Sequence, residues 1–256
     1  MILRMSSYSY PTKEEWSKFA DEASIDNNFG FPWVSELRLL MNREKTIAEV
    51  NQIQNLHEWD CLLNKKTWNL RQSFINAMVN FHRGIALTPK DYKSESKMIN
   101  LLQYELYSEM TFYYLISTRD LVLQIINLAW KLSLAESNKT KLHKRDLVVT
   151  LENVKTGLQR GDFLNVHKIV VDMESGMKEA NTIRNSMTHS FSMLDADGRS
   201  SVSEDGRTYG AGKGHKTSFE EQVRIMRNSL NTMCAFMRSL KSELIHKGFV
   251  LDSMEN

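Results

Sequence analysis

The chain is short of the residues that break helices. Its 256 residues include only three prolines, Pro11, Pro32 and Pro89, and none follows position 89. Proline removes a backbone donor and clashes with the preceding turn, so its absence leaves everything beyond residue 89 open to long helices. Cysteine is equally scarce: Cys61 and Cys234 stand far apart without a CxxC companion, which argues against a disulfide framework or a cysteine zinc site and fits a reducing cytoplasm. Both are expected in the core. A charge of one sign is missing too. Against 33 Lys and Arg stand 31 Asp and Glu, so any argument for an anionic partner must rest on local clusters. No apolar run reaches membrane-spanning length; the nearest, Met110 to Trp130, is interrupted by Arg119, Asp120 and Gln124. The first residues lack the apolar stretch of a secretory signal, so we expect a cytoplasmic protein with no membrane partner.

What is present is helical periodicity. With 41% hydrophobic and 25% charged residues the composition is that of a folded domain, not of a disordered chain. Apolar residues recurring every three or four positions predict an all-α fold. The first helix should start near Thr12, where Thr12-Lys13-Glu14-Glu15 has capping-box spacing. Further helices are expected over 33–45 and over 47–83, the second open to a bend or break, then a connector from Gly84 to Asp91. A very apolar helix over 93–135 comes next. A shorter one, near 144–159, ends at Gly161, another covers 162–190, and the last covers 218–246 with Val223, Met226, Leu230, Met233, Met237 and Leu240 facing inward. We divide the chain into a helical extension, 1–90, packed on the core, and a helical domain, 91–256. The stripe Ile99, Leu102, Leu106, Met110, Tyr113, Ser117 and Gln124 is expected to face the centre of the core, with Asp120 beside it and Glu109 at its edge.

One segment looks arranged for chemistry: Arg184-Asn185-Ser186-Met187-Thr188-His189. At about 100° per residue, Asn185 and His189 share a helix face and Arg184 points away from them. The same grid puts Arg184 at the centre of an apolar stripe of Val166, Ile169, Val170, Met173, Met177, Ala180 and Met187. A guanidinium keeps its charge and is costly to bury unpaired, so it should meet a carboxylate, a phosphate or a subunit interface. Glu109 and Asp120 are the candidate carboxylates. After this helix the pattern collapses. Residues 195–217 hold five of the eleven glycines and predict a long mobile loop, with Arg207, Lys213, His215 and Lys216 in its second half and no acid among them.

Other motifs fail on detail. Gly206 to Gly214 offers glycines beside Lys213, but five residues separate Gly206 from Gly212 where a phosphate loop needs four, Gly214 follows the lysine, and no strand is expected before it. His57-Glu58-Trp59-Asp60-Cys61 lacks the second histidine of a zinc helix, and Glu243 with His246 is a lone ExxH, so no metal and no cofactor are expected. The aromatic run Phe112-Tyr113-Tyr114 reads as core packing, not as a base-stacking platform.

Arg184-Asn185-x-x-x-His189 resembles the RxxxxH signature of the HEPN superfamily, in the form where Asn follows Arg. The resemblance covers roughly residues 92–246 as an order of helices. It implies an all-α, HEPN-like bundle that dimerises to bring two motifs into one cleft, and a metal-independent endoribonuclease acting as a toxin or in defence. Arg184 would stabilise the phosphorane charge, His189 would move protons at the 2′-hydroxyl or the leaving 5′-oxygen, and Asn185 would orient the imidazole or the phosphate. Arg207, Lys213 and Lys216 would hold the RNA backbone. An antitoxin or activator protein is a further partner the resemblance implies. In family toxins paired with a nucleotidyltransferase a tyrosine stands two residues after the histidine; here that position is Phe191, so control by adenylylation there is not expected. The alternative is a non-catalytic HEPN-type module that binds a nucleotide or a protein in the same cleft.

Overall fold

Helices carry the chain, as its scarcity of proline predicts. The structure, a computed structural model, describes residues 8–23, 31, 46–88, 90–134, 149–189, 200–202, 209–211 and 217–250. In chain order these form α1 (Lys13–Ala23), α2 (Ile47–His82), a 3-10 turn (Asp91–Lys93), α3 (Glu95–Ala129), α4 (Leu151–Arg160), α5 (Leu164–Gly176), α6 (Lys178–His189) and α7 (Phe219–His246). Between α6 and α7 lies a two-stranded antiparallel hairpin, β1 (Ser200–Val202) and β2 (Tyr209–Ala211), in the register Ser200↔Ala211 and Val202↔Tyr209. The loop expected over 195–217 therefore contains paired backbone, and a strand does occur inside the Gly206 to Gly214 stretch. The glycine spacing still does not fit a phosphate loop. The helix expected over 33–45 lies outside the described residues, as do Arg207, Lys213 and Lys216.

Local signals explain most helix ends. The Thr12 amide donates to Glu15 Oε2 at 2.8 Å and the Glu15 amide donates to Thr12 Oγ1 at 3.2 Å, the reciprocal capping box that the spacing predicts. Thr150 caps α4 by accepting from the Asn153 amide at 3.2 Å. α2 is a continuous helical run of 36 residues with no break, and neither glycine nor proline occurs within it.

α3 corrects the expectation made for its faces. Leu101, Tyr104, Phe112, Leu115 and Ile116 are buried, whereas Leu102, Leu106 and Tyr113 of the expected core stripe are 44–49% exposed. A helix that is apolar nearly all round does not reveal its inward side by periodicity. The polar anchors decide it: buried Tyr104 donates its hydroxyl to Gln222 Oε1 at 3.2 Å, which places that face inward. The aromatic run splits accordingly, with Phe112 in the core and Tyr113 outside. Cys234 is buried and Cys61 exposed, so only one cysteine is a core residue. Burial pushes the Cys234 thiol up to about 11, which leaves it a poor nucleophile.

The single helix expected over 162–190 is two. Met177 adopts φ −100° and ψ 5° and interrupts the helical run between α5 and α6. Just before it, Gly176 brings the backbone against Thr232, whose side chain would sit 2.5 Å from an added Cβ, so only glycine permits the approach. All six apolar positions expected on the inner face of α7 are buried.

The chain divides into two compact units. The first comprises Met1–Ala23, Leu70–Ile116 and Lys178–Leu230, the second Ser24–Asn69, Ser117–Met177 and Asn231–Asn256. The first has a core that includes Phe19, Phe74, Met78, Tyr104, Phe112 and Met226; the second one that includes Leu63, Ile126, Val154, Val170, Met237 and Leu244. Among the described residues, no helix is long and apolar enough to cross a membrane.

Candidate functional site

α6 belongs to the first unit and carries the Arg-Asn-His segment on its last turns. Ala180 and Ile183 are its fully buried positions, and they seat the helix. The unbroken helical grid put Arg184 at the centre of the apolar stripe; the interruption at Met177 gives that place to Ile183, and Arg184 sits at its edge, half-buried, with its Nε shielded from solvent. This position suits a cation that must keep its charge while its head remains reachable.

Arg184 also does not turn away from Asn185. Its Nη1 donates to Asn185 Oδ1 at 3.2 Å. Their Cβ atoms diverge by about 100°, but the arginine stem is long enough to bring the guanidinium back across the helix surface. Guanidinium N–H and carboxamide NH₂ groups thus stand side by side, donor types that suit an anion. Asn185 is exposed. His189 is the last residue of α6, one turn beyond Asn185; its side chain lies outside the described structure, as does Phe191.

The N-terminal half of α6 is joined to α7 by one ion pair, Arg224 with Glu179, and a second pair, Arg224 with Glu221, lies within α7. Arg224 Nη2 donates to Glu179 at 2.9 Å and to Glu221 at 2.5 Å, and its Nε donates to Glu221 Oε2 at 2.7 Å. The guanidinium holds the Glu221 carboxyl below the usual carboxylate range, and the two carboxylates hold Arg224 above its own. Beside these pairs lies a cavity of about 640 Å³ lined by Lys178, Glu179, Thr182, Ile183, Thr217, Ser218, Glu221 and Ile225. It reaches Ile183, the residue before Arg184. Sequence reasoning missed this wall, although the spacing of Ser218 and Glu221 signals the start of α7, where the Glu221 amide donates to Ser218 Oγ at 3.2 Å.

The two candidate acids have different settings. Asp120 is exposed and accepts from its neighbour Arg119, through Nη2 at 2.7 Å and Nε at 2.9 Å. Glu109 is half-buried on α3, in the same unit as Arg184. Among the described residues, no group of three or more His, Cys, Asp or Glu is placed to hold a metal ion.

Comparison with known proteins gives this segment a setting. Residues 59–244 match the model of a family described as HEPN_Cthe2314-like HEPN. No curated protein and no solved structure matches the chain. The family match takes in more than half of the sequence, runs from Trp59 in α2 to Leu244 in α7, and contains the whole Arg184–His189 segment. The chain belongs to the HEPN_Cthe2314-like HEPN family.

Proposed function

We propose that this protein is a metal-independent endoribonuclease of the HEPN type, serving as a toxin or in defence, with Arg184, Asn185 and His189 as its catalytic residues. The observation that carries the reading is the 3.2 Å bond from Arg184 to Asn185 at the half-buried end of α6, one turn before His189. A guanidinium and a carboxamide side by side suit a phosphate whose charge grows during reaction.

In the reaction, the RNA 2′-oxygen attacks the adjacent phosphorus and the P–O5′ bond breaks. The 2′-hydroxyl proton leaves, the departing 5′-oxygen gains a proton, and the products are a 2′,3′-cyclic phosphate and a 5′-hydroxyl end. His189 moves protons at one of these oxygens. Arg184 stabilises the equatorial charge, and Asn185 orients the phosphate or the imidazole. Glu109, in the same unit as Arg184, is the supporting acid. Arg207, Lys213 and Lys216, on the segment that leads from β1 to α7, hold the RNA backbone.

The protein works as a homodimer in this account. Support comes from the outward face of α3, where Leu102, Leu106 and Tyr113 form an exposed apolar stripe at helical spacing in the unit that holds the motif. Such a stripe marks an association surface more often than bare solvent contact.

Incubating the wild-type protein with a single-stranded RNA pool in EDTA tests the activity. We expect cleavage, product ends that carry cyclic phosphate, and no cleavage of DNA of the same sequence. RNA that is bound and released intact would assign the cleft to a non-catalytic binding module instead.

A further inference from the structure

We propose that the second unit carries a ligand site of its own, for a small phosphate ester about the size of a mononucleotide, in the cavity between the end of α3 and the end of α4. Its lining residues belong to the second unit, whereas Arg184 belongs to the first.

The cavity holds about 550 Å³, which suits a small organic ligand. Two cations line it, Lys131 and Arg160, and among its described lining residues there is no carboxylate. Ser133, Asn153 and Thr156 add hydroxyl and amide groups, and the rings of Trp130 and Phe163 form an apolar wall. The neighbouring space of about 260 Å³ is lined by Asp162 and Glu243, so the two cavities differ in the charge of their described linings.

Its shape is held by unusual backbone. Lys131 and Ser133 have φ of 51° and 59°, left-handed values that cost free energy in residues with a Cβ. The Asn127 side chain fixes this turn, donating to the Leu134 carbonyl at 3.0 Å and accepting from the Leu134 amide at 3.1 Å. On the opposite side Gly161 makes room for the Phe163 ring, which a Cβ would meet at 2.5 Å. Lys247, which is not among the lining residues, has its ammonium 5.2 Å from the Trp130 ring and 5.3 Å from that of Phe163.

Two helix C-termini approach the cavity, and each brings a partial negative charge of about half a unit. Lys131 and Arg160 together outweigh that sum. Several of the terminal carbonyls are also already hydrogen-bonded: that of Leu128 accepts from Gln52 Nε2 at 2.7 Å, that of Asn127 from the Leu132 amide, and those of Gly157, Leu158 and Gln159 from the three residues after α4. The cavity therefore favours an anion with an apolar or aromatic part, placed on the ring wall while its phosphate meets the two cations.

The test is calorimetric titration of the full-length protein with AMP, adenosine and inorganic phosphate, and with a short RNA. AMP should bind more tightly than adenosine or phosphate alone by about tenfold each, since each lacks one of the two contacts. Combining Lys131→Asn, which keeps a residue that tolerates left-handed backbone, with Arg160→Gln should weaken AMP by about tenfold or more and leave the melting temperature unchanged. Gly161→Ala should weaken AMP as well, by displacing Phe163. Failure of AMP to bind, or equal AMP binding by the double variant, would overturn the proposal. So would RNA binding that the double variant loses and AMP does not compete, because the cavity would then belong to an RNA path.

Discussion

Two arginines of the first unit are used in different ways. Arg83, just past the end of α2, donates to both oxygens of Glu15 at 2.8 and 2.7 Å and to the carbonyls of Ser9 and Tyr10 at 2.6 and 3.0 Å. These bonds span 68 to 74 residues of sequence, so they build the fold. The bond from Arg184 to Asn185 spans one residue and ties no distant segments; it shapes a local set of donors. The difference teaches that burial alone does not separate the two, since both are half-buried, whereas the sequence distance of these bonds does.

Alanine at each position should pull the two roles apart. Arg184→Ala should lower RNA cleavage by about 100-fold or more, the scale for removing a donor to developing charge. Arg83→Ala should leave cleavage per folded molecule unchanged but cost about 2 kcal/mol in urea unfolding, because Glu15 loses its partner. If Arg184→Ala destabilised the protein as much as Arg83→Ala, the contrast would fail and Arg184 would count as structural.

Leu106→Glu sharpens the same contrast from the dimer side. A charge in the middle of the exposed stripe of α3 should weaken self-association about tenfold or more, and cleavage should fall with the dimer population in sedimentation runs. Loss of the dimer with full cleavage would separate activity from pairing.

A smaller effect follows from pH. The Arg83 hydrogen bond holds the Glu15 carboxyl below its ordinary range. Its contribution to stability is therefore fully present above the unfolded value of about 4.3 and is lost as the pH falls through the lowered folded value. Glu15→Gln should flatten the stability profile below about pH 4.5 by roughly 1 kcal/mol or less, since the pair is partly exposed. Unchanged acid sensitivity would place the lost stability elsewhere. The smallest change is expected for Tyr104→Phe, which removes the hydroxyl bond to Gln222 and should cost about 1 kcal/mol without altering cleavage.

Much of the fold was legible because the relevant signals are local. The capping box at Thr12, the inner face of α7 and the end of α4 at Gly161 each follow from spacing within a few residues. The inward face of α3 was not legible, because Leu102, Leu106 and Tyr113 are as apolar as the residues they compete with; the deciding bond joins Tyr104 to Gln222, 118 residues on. The interruption at Met177 was hidden as well: methionine carries no breaking signal, and the constraint comes from Gly176 against Thr232. The family match begins at Trp59 within α2, upstream of the boundary placed after residue 90 from the sequence. Of the candidate site, the Arg184 to His189 spacing was visible at once, whereas the Arg184–Asn185 bond depends on how a long side chain folds back over its helix.

The central claim is that the α6 segment cleaves RNA by proton transfer at His189. It is tested most directly by comparing wild type with His189→Ala at equal concentration in EDTA, with single-stranded RNA as substrate and thermal unfolding recorded on the same samples. The account predicts that the variant melts with the wild type and loses cleavage by a factor of about 100 to 10,000, the range for removing a general acid or base. Equal cleavage by two equally folded proteins would contradict it.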